Sequence, residues 1–166
     1  DPKGALKVYA FFLEIEKKLP PAGSYISASV HSNIANIYMT IGENEKALEH
    51  ISKALEINFA NNYRFRIPRA LTVQAELYLQ TKDTSEAILN YEKSIEAAES
   101  IDAFDVVKRN SQVLGELYER TNQLVKSYDY KALSENNYPR DQKKGKRGSA
   151  KEKNVGIGAY GPESTI

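Results

Sequence analysis

Apolar residues recur along this chain at the three-and-four spacing of a helix face. In SYISASVHSNIANIYMTIG they fall at Ile26, Val30, Ile34, Ile37 and Ile41, and Gly42 is placed to stop the helix. NEKALEHISKALEI follows, with a stripe of Ala47, Leu48, Ile51, Ala54, Leu55 and Ile57 and with Asn44 as its expected cap. NFANNYRF reads as a turn region, and Pro68 suits the first turn of the next helix, which the pattern carries to about Thr81. DTSEAILNYEKSIEAAES is its expected partner, capped near Asp83 or Thr84. DAFDVVKRNSQVLGELYERT and NQLVKSYDYKALSEN form a third pair. GALKVYAFFLEIEKKL, ahead of PPAG at Pro20–Gly23, is amphipathic too. The pattern predicts about seven helices, an all-α chain.

The helices repeat. Tyr38, Tyr78 and Tyr118 stand forty residues apart, and Ala35, Ala75 and Gly115 share that interval. So do Ala47, Ala87 and Ser127. A fixed period of this size is the signature of a solenoid of helical hairpins. Small residues let two helices approach closely. A Tyr beside them fills the seam and is expected to keep its hydroxyl near solvent. The N-terminal amphipathic segment lies forty residues before the first returning helix, so it reads as the second helix of a truncated repeat. A plain helical bundle is the competing architecture, and recurrence at several positions in one phase argues against it.

These residues resemble the tetratricopeptide repeat family. The first unit matches at Ala35, Tyr38, Gly42, Ala47 and Ala54, and the second at Leu71, Ala75, Tyr78, Ala87 and Tyr91. The third matches at Leu114, Gly115 and Tyr118, with Ser127 in place of Ala. The period of forty departs from the commoner ~34. It is similar to the longer-helix variant of bacterial peptide-sensing regulators, bacterial sensor proteins with signalling output domains, and some eukaryotic polarity adaptors. The resemblance implies a right-handed superhelical solenoid of antiparallel helix pairs over residues 1–136. Its units would be a partial repeat at 3–18 and repeats at 24–58, 64–99 and 103–136, followed by a basic, Gly-rich flexible tail at 137–166.

In that family the first helix of each pair lines a concave groove. By resemblance the inward-facing residues are Ser32, Asn36 and Thr40, then Thr72, Glu76 and Gln80, then Gln112, Glu116 and Arg120, with Arg69 and Arg109 one turn earlier. The expected groove is polar, of mixed charge, without an aromatic line. Asn pairs with a peptide amide in both directions, and Arg takes a carboxylate in a fork. The ordinary alternative is a set of solvated side chains. Ser32, Asn36, Val73, Arg109 and Val113 occupy the places of the family's clamp for a C-terminal carboxylate, and only two of the five fit it.

Composition narrows the classes. Hydrophobic residues are 41% of the 166 and charged residues 27%, enough for a core, and the net charge of +1 gives no whole-chain case for nucleic acid or membrane. There is no Cys, hence no disulfide or thiolate metal site. No apolar run approaches the ~20 residues of a membrane helix, and no signal peptide is visible. A cytoplasmic location is expected. The first residue is Asp1 rather than Met, so the chain is expected to be a piece of a longer protein.

No catalytic constellation is present, and neither an enzyme nor a cofactor is expected. Gly156, Gly158 and Gly161 spell G-x-G-x-x-G, but neither the strand nor the helix that gives this motif its phosphate site flanks it. His31 and His50, the two histidines, lack the company of a metal site and read as seam or surface residues. Arg140 to Lys153 holds seven basic and two acidic residues, a linker or tail by composition, with nucleic-acid contact as the lesser reading. The tail lying in a groove, its own or a neighbour's, is a third. The expectation is a protein- or peptide-binding scaffold or adaptor in a larger bacterial signalling protein. The alternative is a dimerisation or regulatory arm of a transcriptional regulator. Tyr9, Phe11 and Phe12, on a helix with no preceding partner, predict an under-covered face, open to self-association with a second copy or to cover by the tail.

Overall fold

The structure, a computed structural model, describes residues 1–16, 18 and 25–135. The readings placed on PPAG, on the basic stretch 140–153, on the glycine motif and on the tail 137–166 lie outside the described residues. Seven helices follow one another: α1 Pro2–Glu16, α2 Tyr25–Thr40, α3 Asn44–Ala60, α4 Ile67–Gln80, α5 Thr84–Glu99, α6 Phe104–Arg120 and α7 Leu124–Glu135.

Each helix from α2 to α6 ends in the same turn. One residue adopts the left-handed conformation: Gly42 at φ 79°, Asn62 at 53°, Lys82 at 65°, Asp102 at 58° and Asn122 at 58°. They stand twenty residues apart. The amide of the next residue reaches back five residues to a helix carbonyl: Glu43 to Tyr38 at 2.9 Å, Tyr63 to Asn58 at 2.8 Å, Asp83 to Tyr78 at 2.8 Å, Ala103 to Ala98 at 2.9 Å and Gln123 to Tyr118 at 2.8 Å. This bond satisfies a carbonyl that a helix end otherwise leaves unpaired. Thr81 and Thr121 add side-chain bonds to the same last turns.

Helix starts are less uniform. Asp83 caps α5, its carboxylate accepting from the Glu86 amide at 3.2 Å. Asn44 is not a cap: it is the first residue of α3, Glu43 takes the cap place without a side-chain bond, and the Asn44 Oδ1 is buried with no partner among the described residues. Pro68 sits in the first turn of α4, where its missing N–H costs nothing.

Sequential helices pack as antiparallel neighbours, and α2 also touches α4, as α4 touches α6. The first helices of the pairs therefore form an inner layer, and α3, α5 and α7 lie outside it. Close approach depends on small residues. Ala35, Ala47, Ala75 and Ala87 are fully buried, and Ser127 is 4% exposed. At Gly115 an added Cβ would stand 2.7 Å from the Lys131 Cγ and 3.4 Å from the α7 backbone. Ile51, Ala54, Leu55, Ile67, Leu71 and Leu77 fill the space beside them. Ile26 and Ile41, at the ends of the α2 stripe, stay exposed.

The seam tyrosines are not equivalent. Tyr38 and Tyr78 are half-buried, whereas Tyr118 is only 3% exposed. Its hydroxyl donates to the Glu92 carboxylate at 2.6 Å and its ring stacks on Tyr130, so the expected solvent-facing hydroxyl does not hold in the third unit. Burial first, then Glu92, push the Tyr118 hydroxyl well above the ordinary tyrosine range. His31 and His50 meet across the α2–α3 seam with their Nδ1 atoms 2.9 Å apart, beside the Tyr38 ring. Among the described helices α1 touches only α2, and Val8, Phe11 and Ile15 are exposed on it. No described helix is long and apolar enough to cross a membrane.

Two substitutions test the turn and the seam by urea unfolding. Lys82→Gly removes the steric penalty of a left-handed non-Gly residue and is expected to stabilise by about 0.5–1 kcal/mol. Gly115→Leu is expected to cost about 2 kcal/mol or more, because the side chain meets the α7 backbone.

Candidate functional site

The concave side holds a cleft of about 790 Å³ between the first two full repeats. Ser32 and Asn36 of α2 form one wall, and Pro68, Arg69, Ala70 and Val73 of α4 form the floor. Ala103, Asp105 and Val106, at the start of α6, close the far side. Tyr63, Arg64, Phe65 and Arg66, from the α3–α4 connection, stand at its mouth beside Tyr25.

That connection explains the cleft. It spans residues 61–66, whereas the α5–α6 connection spans 100–103. The interval of forty is unchanged, so α4 begins later in its unit than α6 does. The four mouth residues therefore lie in non-helical chain, where the next unit has Ala103, Phe104, Asp105 and Val106. Asn62 in its left-handed conformation turns the chain out of α3. Tyr63 meets Tyr25 edge-on with ring centroids 5.6 Å apart. The Arg66 guanidinium lies 3.7 Å over the Tyr25 ring, a cation–π contact that ties the loop to the start of α2.

Of the eleven residues expected in the groove, Ser32, Asn36 and Arg69 are brought together on this cleft. Thr40, Gln80, Gln112, Glu116 and Arg120 are exposed on the first helices but do not line it. Arg109, also exposed, faces Glu76. Burial pushes the half-buried Glu76 carboxyl above the usual carboxylate range, and Arg109 opposes that rise. Tyr91 packs nearby, its hydroxyl pushed up to about 12 by burial and then by Glu76. Glu76 and Arg109 thus make a second, separate polar patch farther along the inner layer.

Thr72 departs from expectation. It is 3% exposed, turned into the junction of α4, α5 and α6 rather than into the groove. The Asn110 amide nitrogen donates to the Thr72 and Ser94 hydroxyls, at 2.8 Å each. Both hydroxyls donate onward to the Pro68 carbonyl, at 3.0 and 2.6 Å. This set satisfies both hydroxyls in a site where an unpaired one would be costly, while the Asn110 Oδ1 is buried without a partner among the described residues. Helical phase places Thr72 on the inner layer, but packing of α6 against α4 covers it.

The expectation of a groove without aromatics also fails here, since Tyr25, Tyr63 and Phe65 line the cleft and Phe65 is 79% exposed. The missed signal is the alternation Tyr63, Arg64, Phe65, Arg66, which breaks the repeat where its neighbours keep it. Arg69 reaches Asp105 at 3.4 Å, and Arg64 reaches the Ser100 hydroxyl at 3.4 Å. Among the described residues no group of three or more His, Asp or Glu could hold a metal ion.

A family model described as tetratricopeptide repeat matches residues 26–100. A comparison with curated protein sequences gives no match. Among solved structures, the fold is similar to BtubC (BKLC) from P. vanneervenii, with a TM-score of 0.70 at 18% identity. That likeness covers 77% of this chain and 53% of BtubC, so the chain spans about half of that protein's length. It is also similar to MamA, with a TM-score of 0.57 at 18% identity over 81% of this chain and 76% of the other.

The buried polar set predicts that Thr72→Val costs about 1–3 kcal/mol, because Asn110 loses an acceptor it cannot replace. Thermal unfolding checks this against Gln80→Ala on the exposed face, which is expected to change stability by less than about 0.5 kcal/mol.

Proposed function

Because the chain is a tetratricopeptide repeat protein, we propose that it is a protein- or peptide-binding scaffold that holds its partner along the concave side. The observation that carries this reading is the cleft, in which Ser32 and Asn36 of α2 and Arg69 of α4 converge beside an exposed aromatic loop. Binding sites are concave places where a few polar groups converge among apolar walls. An extended peptide suits the shape. Asn36 can take its backbone in both directions, and Arg69 can take a carboxylate. Exposed side chains farther along, among them Gln80, Arg109, Gln112, Glu116 and Arg120, extend the same inner surface. The module serves a larger bacterial signalling protein in this reading, on the strength of its forty-residue period.

Selection of a displayed random peptide library on the full chain tests the groove. Selected peptides are expected to bind the Asn36→Ala/Arg69→Ala/Arg109→Ala variant at least ten times more weakly, with unfolding unchanged. Equal binding by the variant would move the partner off the concave face.

The self-association expected of α1 draws support from the exposed Val8, Phe11 and Ile15. Sedimentation velocity is expected to show a species larger than a monomer that Phe11→Glu dissociates. A monomer at every concentration would remove this reading.

A further inference from the structure

The cleft gathers two cations that the family's usual groove positions do not supply, Arg64 and Arg66, beside Arg69, which they do. Arg64, Arg66 and Arg69 lie within six residues of chain and line one cleft, with Asp105 the single acidic residue on its walls. We propose that this cleft selects acidic peptide segments, with carboxylates on the three guanidiniums and a neighbouring apolar side chain against Phe65 and Tyr63. This rests on the scaffold reading and names the class of partner for that site.

Four observations carry it. First, the arginines are under-used. A guanidinium has five N–H donors. Arg64 spends one on Ser100 at 3.4 Å, and Arg69 one on Asp105 at 3.4 Å. Arg66 stacks on Tyr25, and its Nε is buried without an acceptor among the described residues. Second, the one internal competitor is weak. The Arg69 and Asp105 side chains are 73% and 70% exposed, and so open an ion pair is worth little. It holds Arg69 across the cleft without spending it, and an incoming carboxylate can exchange for Asp105. Third, Phe65 is 79% exposed immediately between Arg64 and Arg66. An exposed aromatic flanked by cations offers an apolar contact beside each charge, the combination found where a few aromatic and Arg anchors dominate binding. Fourth, the platform is held in place. Arg66 and Tyr63 both pack on Tyr25, and the Asn62 turn fixes where the loop leaves α3. Pre-ordering lowers the entropy cost of binding.

Arginine with aromatics also suits single-stranded nucleic acid. Peptide is favoured because Arg66 already occupies the Tyr25 face on which a base would stack.

Fluorescence anisotropy with the full chain tests this. The probes are a labelled dodecapeptide of Asp and Glu around one Leu, its Asn/Gln isostere, its Lys counterpart, and a single-stranded RNA of similar length. The acidic peptide is expected to bind at least tenfold tighter than its isostere and to weaken with salt. Arg64→Gln/Arg69→Gln, both at exposed positions, is expected to abolish that preference. Phe65→Ser is expected to weaken binding several-fold while leaving the salt dependence intact. Asp105→Asn frees Arg69 and is expected to tighten binding several-fold, an effect that loss of folding cannot imitate. Equal binding of acidic peptide and isostere, tighter binding of the RNA, or no effect of the paired arginine variant would each overturn the proposal. If library-selected peptides need Asn36 and Arg109 but show no acidic bias and ignore Arg64→Gln, the acidic preference falls and the scaffold reading stands. If the library yields no groove-dependent peptide, the scaffold reading falls.

Discussion

A single backbone hydrogen bond sets the geometry of this protein. At the end of each helix from α2 to α6 an amide reaches back five residues to a carbonyl, and one residue goes left-handed to make that possible. Because these turns recur every twenty residues, every helix reverses at the same distance. Residues forty apart then occupy equivalent places. The small residues at Ala35, Ala75 and Gly115 face the returning helices for that reason, and the first helices of the pairs meet one another in an inner layer. The concave surface is a consequence of the interval.

Glycine occupies only the first of the five left-handed places. Lys82, Asp102, Asn62 and Asn122 hold the others, and Asn and Asp tolerate this region better than most residues because their side chains bond locally. The five-residue bond and the packing of the next helix therefore outweigh a local penalty, most clearly at Lys82. The same override appears inside. The α4–α6 junction holds a polar set, in which two hydroxyls donate to the Pro68 carbonyl and one amide donates to both hydroxyls. Such a set is intolerant of sliding: a small shift of α6 would take the Asn110 amide from both of its acceptors at once. It positions the α6 start, and with it Asp105, across the cleft from Arg69.

The cations and rings of the cleft are concentrated where the repeat is broken. In the first inter-repeat connection the chain postpones its helix to Ile67 and spends the spare residues on Tyr63, Arg64, Phe65 and Arg66. The second connection, with the same interval, starts its helix at Phe104 and builds no such loop. A regular array supplies a rigid concave wall, and one irregular joint supplies the cations and rings. A partner can be recognised at that joint without cost to the stacking on either side.

The sequence by itself determined the helices, their pairing and the concave face, because a period of forty with in-phase small residues and tyrosines has few other physical solutions. By resemblance to the repeat family it also pointed to Ser32, Asn36 and Arg69, three of the residues that line the cleft. Only the tertiary structure decided what those places became. Thr72 has the right phase but is covered, because α6 packs over it and supplies Asn110. Tyr118 has the phase of Tyr38 but is buried against Tyr130 and bonded to Glu92, a carboxylate from the preceding pair. The aromatic and cationic mouth of the cleft was written in plain view as YRFR, yet its meaning needed Tyr25, distant in sequence, to come alongside. Periodicity reports which face of a helix a residue occupies. Whether that face meets solvent, a ligand or another helix depends on contacts between residues far apart in the chain, and those exist only once the chain has folded.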